Sequence, residues 1–599
     1  MKKLVMVAAL AAAGAGAGYL MLGDNSDMPG SEVVDLASHS DHLALIPADT
    51  LLYMGSLEPV AAKEMMGSMA SLYQMIDPAV FNPMNQDAMQ ELSAKARTPG
   101  AKLVLSMLNF FLEGVSDPLA MYSATGAKDT LFSSAYTVGL MPVLRYEADQ
   151  ARFDQFIAGL EADAGVAATQ KEIDGISYRS YALTDEEQRN LELVVAYLGG
   201  DAIFTLALSD AADQGGLAVA LGLTEPERSL RDTGTVEAIK NEYNYLPDSI
   251  GYVSFKEIIS ALTSSDNLAG QALAALDDGS SAWFSQMHSP VCAAEFAGIA
   301  EVWPRMVTGY HSMDFSEAGF SGEFHLNVEI NHQPLTGTLQ KIRGHIPADL
   351  VSGVPQIVSM AVGLDMSRLN EILGELAGHA QGLQYECDLL QSLNGMDEAI
   401  NQARPMIAMS TGMASGLKGM RFSLFDIDGD VAAGQVSDVD GMITFSGEQI
   451  PSMVNMMMAM GGGAGMITIP ADGTPVDLPL PPQMLEKTAN NIQPKVAMTQ
   501  NQAVLFVGDT ATSQYRKVLD EKLNSDGLMF FSMDYGKYMK LLSGVMDASL
   551  ASAEMDEQEK AQLVSFSEAI KNIDYQEQVK MEFTHRGVEF SGKIALQNP

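Results

Sequence analysis

The sequence predicts an α+β protein of two related domains, each a largely antiparallel sheet covered by helices. Ile46-Pro47-Ala48-Asp49 recurs as Ile346-Pro347-Ala348-Asp349. The segments that follow the two copies agree in type and order, and both halves close on alternating apolar and polar residues around a central glycine. At 599 residues the chain suits two domains, each large enough for its own core. The expected boundaries are 1–22 for an export signal or signal anchor, 23–42 for a tether, 43–330 for the first copy, 331–345 for a linker and 346–599 for the second copy.

Taken in order, Met1-Lys2-Lys3 is a basic start to the uncharged run Leu4 to Leu22, the pattern of a bacterial export signal. Ala15-Gly16-Ala17 offers a cleavage site, while Tyr19 to Leu22 extends the run to nearly the ~20 residues that span a bilayer. Uncleaved anchor and cleaved signal both remain open. The charge distribution puts the rest of the chain outside the cytoplasm, inner-membrane anchored and facing the periplasm, or secreted. Residues 23–42 read as a polar tether.

Leu51 to Met54 is a short strand, followed by a helix carrying Val60, Met65, Met66, Met69 and Leu72. Its counterpart is Ile357 to Val362 with a helix through Met366, Leu369, Ile372, Leu373 and Leu376. Lys102 to Leu112 reads as helix, Ala135 to Leu144 as one strand, Phe153 to Leu160 as helix and Tyr178 to Leu183 as strand. Leu193 to Leu206 is a hairpin turning at Gly199-Gly200-Asp201, answered by Val496 to Val507. Helices through Leu217 to Leu221 and Tyr515 to Leu523 come next. Then Gly251 to Phe255 and Leu528 to Ser532 are strands that run into helices. Residues 265–306 read as largely helical, with Trp283 and Trp303 assigned to the core. The closing hairpins centre on Gly319 and Gly587.

In the second half, Met420 to Phe425 is a strand, and Asp426 to Asp430 and Asp438 to Gly441 read as turns. Their Asp-x-Asp-Gly pattern lacks the further acids and closing glutamate of a calcium loop. Residues 469–482, with a third Ile-Pro-Ala-Asp, read as extended loop.

A formal net charge of −41 opposes binding to nucleic acid and docking on anionic head groups. The only membrane contact expected is the N-terminal segment. Cys292 and Cys387 are too few for a disulfide scaffold. Either they cross-link the end of the first copy to the start of the second, or they are two buried thiols.

No nucleophile elbow, zinc-protease helix, phosphate-cradling loop or dinucleotide fingerprint occurs, so no catalytic residue, cofactor or metal site is assigned. His39 and His42 lie in the tether without the ligand count of a metal site. The one unusual feature is methionine, 39 residues, with Met453, Met456, Met457, Met458 and Met460 gathered in one helix. Core filling, a surface for a hydrophobic ligand or partner, and soft ligation of Cu(I) are its three readings, in that order.

Ile46 to Ser56, Ser229-Leu230-Arg231 and Leu246 to Phe255 together resemble a family of exported bacterial proteins of unknown function. In that family a Pro-Ala-Asp-Thr opening precedes repeated strand-helix pieces. The resemblance implies an envelope location and transfers no catalytic residue. The expected function is non-catalytic: binding an envelope partner protein or a hydrophobic small molecule, or scaffolding an envelope complex. The alternative is a hydrolase or metal-handling enzyme with a site at the domain interface.

Overall fold

The computed structural model describes residues 39–66, 92–114, 117–184, 191–208, 214–276, 282–316, 319–350, 356–430, 435–460, 468–478, 493–552, 564 and 575–597. The expected signal, most of the tether, and Met69 and Leu72 lie outside them. The last tether residues are the start of a short helix, His39–Ala44. Among the described residues no helix is long and apolar enough to cross a membrane. The chain is α+β and divides into two compact units. The first runs to Leu326 and includes Glu386–Leu389; the second comprises Asn327–Tyr385 and Leu390–Gln597.

The first unit's strands are β1 (Leu52–Gly55), β2 (Ser133–Val138), β3 (Met141–Glu147), β4 (Thr169–Ile173), β5 (Ile176–Ala182), β6 (Leu191–Leu198), β7 (Asp201–Leu208), β8 (Ile250–Ser254), β9 (Arg305–Ser316) and β10 (Gly319–Glu329). They pair in the order β4-β5-β6-β7-β3-β2-β1-β8-β9-β10, antiparallel wherever the register is resolved. The single strand expected over 135–144 is a hairpin. Its reversal falls at Gly139, whose φ of 58° is open to glycine and strained for most other residues.

The second unit has β11 (Val358–Val362), β12 (Leu417–Asp430), β13 (Gln435–Gly447), β14 (Val476–Asp477), β15 (Lys495–Met498), β16 (Gln502–Val507), β17 (Met529–Asp534), β18 (Tyr575–Phe583) and β19 (Gly587–Gln597). Their order is β14-β15-β16-β13-β12-β11-β17-β18-β19, again antiparallel. Taken by position, these strands stand where β5, β6, β7, β3, β2, β1, β8, β9 and β10 stand in the first sheet.

The repeated tetrapeptide does the same job in each unit by different means. In the first, the Ala48 N–H donates to Arg228 O at 2.9 Å and the Leu230 N–H to Ile46 O at 2.9 Å. In the second, Asn524 holds both the Ile346 N–H, through Oδ1 at 3.0 Å, and Ile346 O, through Nδ2 at 2.8 Å. The Ala348 N–H donates to Glu521 Oε1 at 2.7 Å. Backbone bonds in one unit are thus replaced by side-chain bonds in the other, and both satisfy the polar backbone of an entering segment.

Helices cover both faces of the first sheet. On one face, α3 (Gln214–Leu221) and α4 (Thr235–Tyr243) pack with Tyr53, Tyr136 and Tyr252; on the other, α1 (Pro99–Gly114) and α2 (Gln150–Ala164) pack with Tyr181, Leu193 and Val195. After α5 (Phe255–Thr263) comes α6 (Pro290–Val302). Cys292, in its first turn, is disulfide-bonded to Cys387 across 95 residues of sequence. Glu295, one turn further, accepts from the N–H groups of Glu386 and Cys387 at 2.8 and 3.1 Å. Trp283 is 52 % exposed, so it is not the core residue expected; Trp303 ends α6 half-buried.

The expected linker is not a bare connection, because it contains α7 (Gln333–Gln340). Next come α8 (Leu369–Ala380) and α9 (Met396–Thr411), packed on one another, then α10 (Ile450–Met460), α11 (Asp509–Asp520) and α12 (Tyr535–Ser552). On one face of this sheet α11 packs on Phe425, Met442, Val504 and Phe506. On the other, α10 covers Val496, Met498 and Ala503. The turns expected at 426–430 and 438–441 are strand: Asp426 faces Asp440 and Asp428 faces Asp438, after a register shift beyond Leu424. The segment expected as loop over 469–482 includes β14.

Candidate functional site

At β11 and β12 the second sheet buries a polar row and exposes apolar residues. Along β11 the pattern Val-Ser-Met-Ala-Val alternates, and simple patterning would turn Met360 and Val362 inward. Instead Ser359 and Ala361 are buried, while Met360 is 46 % exposed and Val362 39 %. On β12, Arg421 and Ser423 are buried at 4 % and 0 %, and Met420 and Phe422 are 44 % and 42 % exposed.

Register joins these exposed residues into one surface. Met360 lies opposite Phe422 on one side and Phe531 on the other; Val362 lies opposite Met420 and Met529. Val358 lies between Leu424 and Met533. On β18 the rows continue to Met581, Val579 and Glu577. With strands about 4.8 Å apart and same-face residues about 6.8 Å apart, the patch is about 14 Å on a side, of order 200 Å². Its distinction is less its area, which is within the range of ordinary protein surfaces, than the register that gathers methionine and phenylalanine on it.

Behind it, the buried side is held by hydrogen bonds. Ser359 lies in register with Ser423 and Ser532. The Ser359 hydroxyl donates to Gln356 Oε1 and is bonded to the Ser423 hydroxyl, which accepts from Arg421 Nε at 2.8 Å. The satisfied polar row fixes which side of the strands faces inward.

The first unit distributes bulk the opposite way. Its three positions corresponding to the serines are Tyr136, Tyr53 and Tyr252, in register across the central strands and packed under α4. On the reverse side Met54 is flanked by Ala135 and Gly251, where the second unit has Phe422 and Phe531 beside Met360. Among the described residues no large apolar side chain of β1, β2 or β8 is exposed. The shared strand order therefore does not require bulky apolar groups on this face.

Two half-buried carboxylates form a second feature, in the first unit. Asp49 closes the tetrapeptide, and Glu257 lies in the first turn of α5, its N–H donating to Ser254 Oγ at 3.1 Å. Burial raises the pKa of Asp49 above the ordinary carboxylate range, against a smaller lowering by a backbone hydrogen bond. Burial raises that of Glu257 too, reinforced by the charge of Asp49. Such a pair can retain a proton at mildly acid pH.

Of the methionines singled out in α10, Met453 packs against the core formed by Ile450, Val496 and Met498, and Met456 is 36 % exposed. The side chains of Met457, Met458 and Met460 lie outside the described residues. The methionines of the exposed sheet face were not singled out from the sequence. They are spread over four strands, and only pairing gathers them. Among the described residues no group of three or more His, Cys, Asp or Glu side chains is placed to hold a metal ion. No protein-family model, curated protein or solved structure matches the chain.

Proposed function

We propose that this chain is a non-catalytic binding protein of the cell envelope. Its second unit docks an apolar segment of a partner protein, or a hydrophobic ligand, on the face formed by β12, β11, β17 and β18. The chain is carried there by its N-terminal export segment, and its two units descend from one duplicated ancestor resembling the exported bacterial family.

One observation carries the reading: a sheet that turns Met360, Met420 and Phe422 to solvent while burying Ser359, Arg421 and Ser423. Apolar side chains turned to solvent in this way leave surface whose burial by a partner is favourable. Methionine suits the task because its unbranched thioether adapts to partners of varied shape. A disulfide between Cys292 and Cys387 fits an oxidising compartment. The common strand order of the two sheets supports duplication.

Equilibrium binding of Nile red, a neutral hydrophobic dye, to the folded chain tests the docking face. The double variant Met360→Ser/Phe422→Ser should bind the dye at least about tenfold more weakly, since two apolar contacts worth about 1 kcal/mol or more each are removed. Trp283→Ser, at an exposed site elsewhere, should leave binding unchanged. Saturable binding that survives the double variant, or no saturable binding by the native chain, overturns the reading.

A further inference from the structure

On its buried side, away from the docking face, the second sheet holds two polar groups that the chain does not satisfy. Successive residues of a strand alternate sides, so Thr444 of β13 and Gln502 of β16 share the side on which α11 packs against Met442, Val504 and Phe506. Both are 0 % exposed. Among the described residues, Thr444 Oγ1 and Gln502 Nε2 have no hydrogen-bond partner. Buried polar atoms are nearly always paired, with protein, water or an ion, because leaving water without a new partner is costly.

Register sets them beside a buried charge. Thr444 lies directly opposite Arg421 of β12, and Ser446, two residues further along β13, lies opposite Gln502. Ser446 Oγ donates to Gln502 Oε1 at 2.5 Å, so the accepting end of that amide is engaged and its donating end is not. An amide N–H can only donate, and a hydroxyl can donate as well. Arg421 is buried in the same row with its Nε engaged by Ser423. Its charge acts at this range whether or not its other N–H groups reach the same place. Two spare donors next to a buried guanidinium select an anion.

The first unit shows what such a row otherwise carries. By strand position, its Ser134, Arg145 and Asp201 stand where Arg421, Thr444 and Gln502 stand in the second. There Arg145 Nη1 donates to Asp201 Oδ2 at 2.9 Å, with both side chains buried, and the chain itself supplies the negative charge. In the second unit the arginine sits one strand over, on β12, and an amide with a spare donor takes the position of the carboxylate. We infer that a small monovalent anion of chloride's size is bound here, held by Thr444 Oγ1 and Gln502 Nε2 beside the Arg421 guanidinium. A divalent or polyatomic anion would need more donors than these to replace its hydration.

Thermal melting of the full chain tests the site, after dialysis into sodium gluconate and with sodium chloride replacing gluconate at fixed pH and ionic strength. A site that only the folded chain possesses raises the melting temperature with chloride by mass action, and bromide should do the same. Gln502→Glu places a carboxylate where Asp201 stands in the first unit. It should melt in gluconate at or above the parent, with no further rise in chloride. Thr444→Val keeps the shape without the hydroxyl, and should need at least about tenfold more chloride for the same rise, because a hydrogen bond to an ion is removed. A parent whose melting is indifferent to chloride, or a chloride response that both variants retain, overturns the inference. Crystals of the native chain grown in sodium bromide give a readout that needs no variant. An anomalous peak within hydrogen-bond distance of Thr444 Oγ1 and Gln502 Nε2 supports the site, and water there in place of bromide overturns it.

Discussion

Asp49 and Glu257 are far apart in the chain; burial raises the pKa of both, and the charge of Asp49 raises that of Glu257 further. A carboxyl whose folded-state pKa is raised favours the fold when protonated. That contribution is complete below the unfolded-state pKa and is lost as pH rises through the higher folded value. At neutral pH both groups are therefore charged at the expense of stability. Asp49→Asn should melt slightly higher than the parent at pH 7, by a fraction of a kcal/mol, because solvent screens half-exposed groups. The gap should close when both proteins are melted near pH 4; a variant that melts lower than the parent at pH 7 would refute the assignment. The sequence marked Asp49 only as part of a repeated landmark. Its electrostatic partner was not legible, since nothing local connects it to the first turn of α5. Trp283 shows the same limit from the other side: its type suggested core, and only the packed structure puts it in solvent.

At the scale of elements, the closing hairpins and strand-to-helix units followed from local patterning, because glycine at the reversals and alternation on the strands act over a few residues. Local chemistry misled where a common turn signature sat in a long strand. Asp426-Ile427-Asp428-Gly429 and Asp438-Val439-Asp440-Gly441 have turn composition, yet they pair with each other and extend β12 and β13. Part of the reason is Asp440, whose two oxygens cap the first turn of α11 and so tie β13 to that helix. Asp440→Ala should lose about 1–2 kcal/mol in urea unfolding, the usual cost of a lost cap, whereas exposed Asp426→Ala should stay within about 0.5 kcal/mol of the parent. Equal effects would remove the capping role. The inward face of β11 and β12 was likewise illegible. Apolar and polar residues alternate there as expected, but which set turns inward depends on a serine row assembled from three strands.

For the molecule as a whole, the chain divides into two compact units, and an expected division into two was legible as a repeated tetrapeptide with similar sequels. The first unit's return visit to Glu386–Leu389 was not, since it depends on Cys387 and on Glu295 meeting the backbone there. Closing 95 residues of sequence by a disulfide removes chain entropy worth about 4–5 kcal/mol in the simplest treatment, with about 2–4 kcal/mol the usual yield. Reductant should therefore lower the melting temperature of the native chain and leave Cys292→Ser/Cys387→Ser unaffected; a native melt indifferent to reductant would contradict a stabilising bond. The passage from one unit to the next at Leu326 and Asn327 lies inside the span that this bond closes. A proteolytic nick at that crossing does not release two fragments: the severed pieces remain one covalent particle, and come apart only when a thiol opens the second tie.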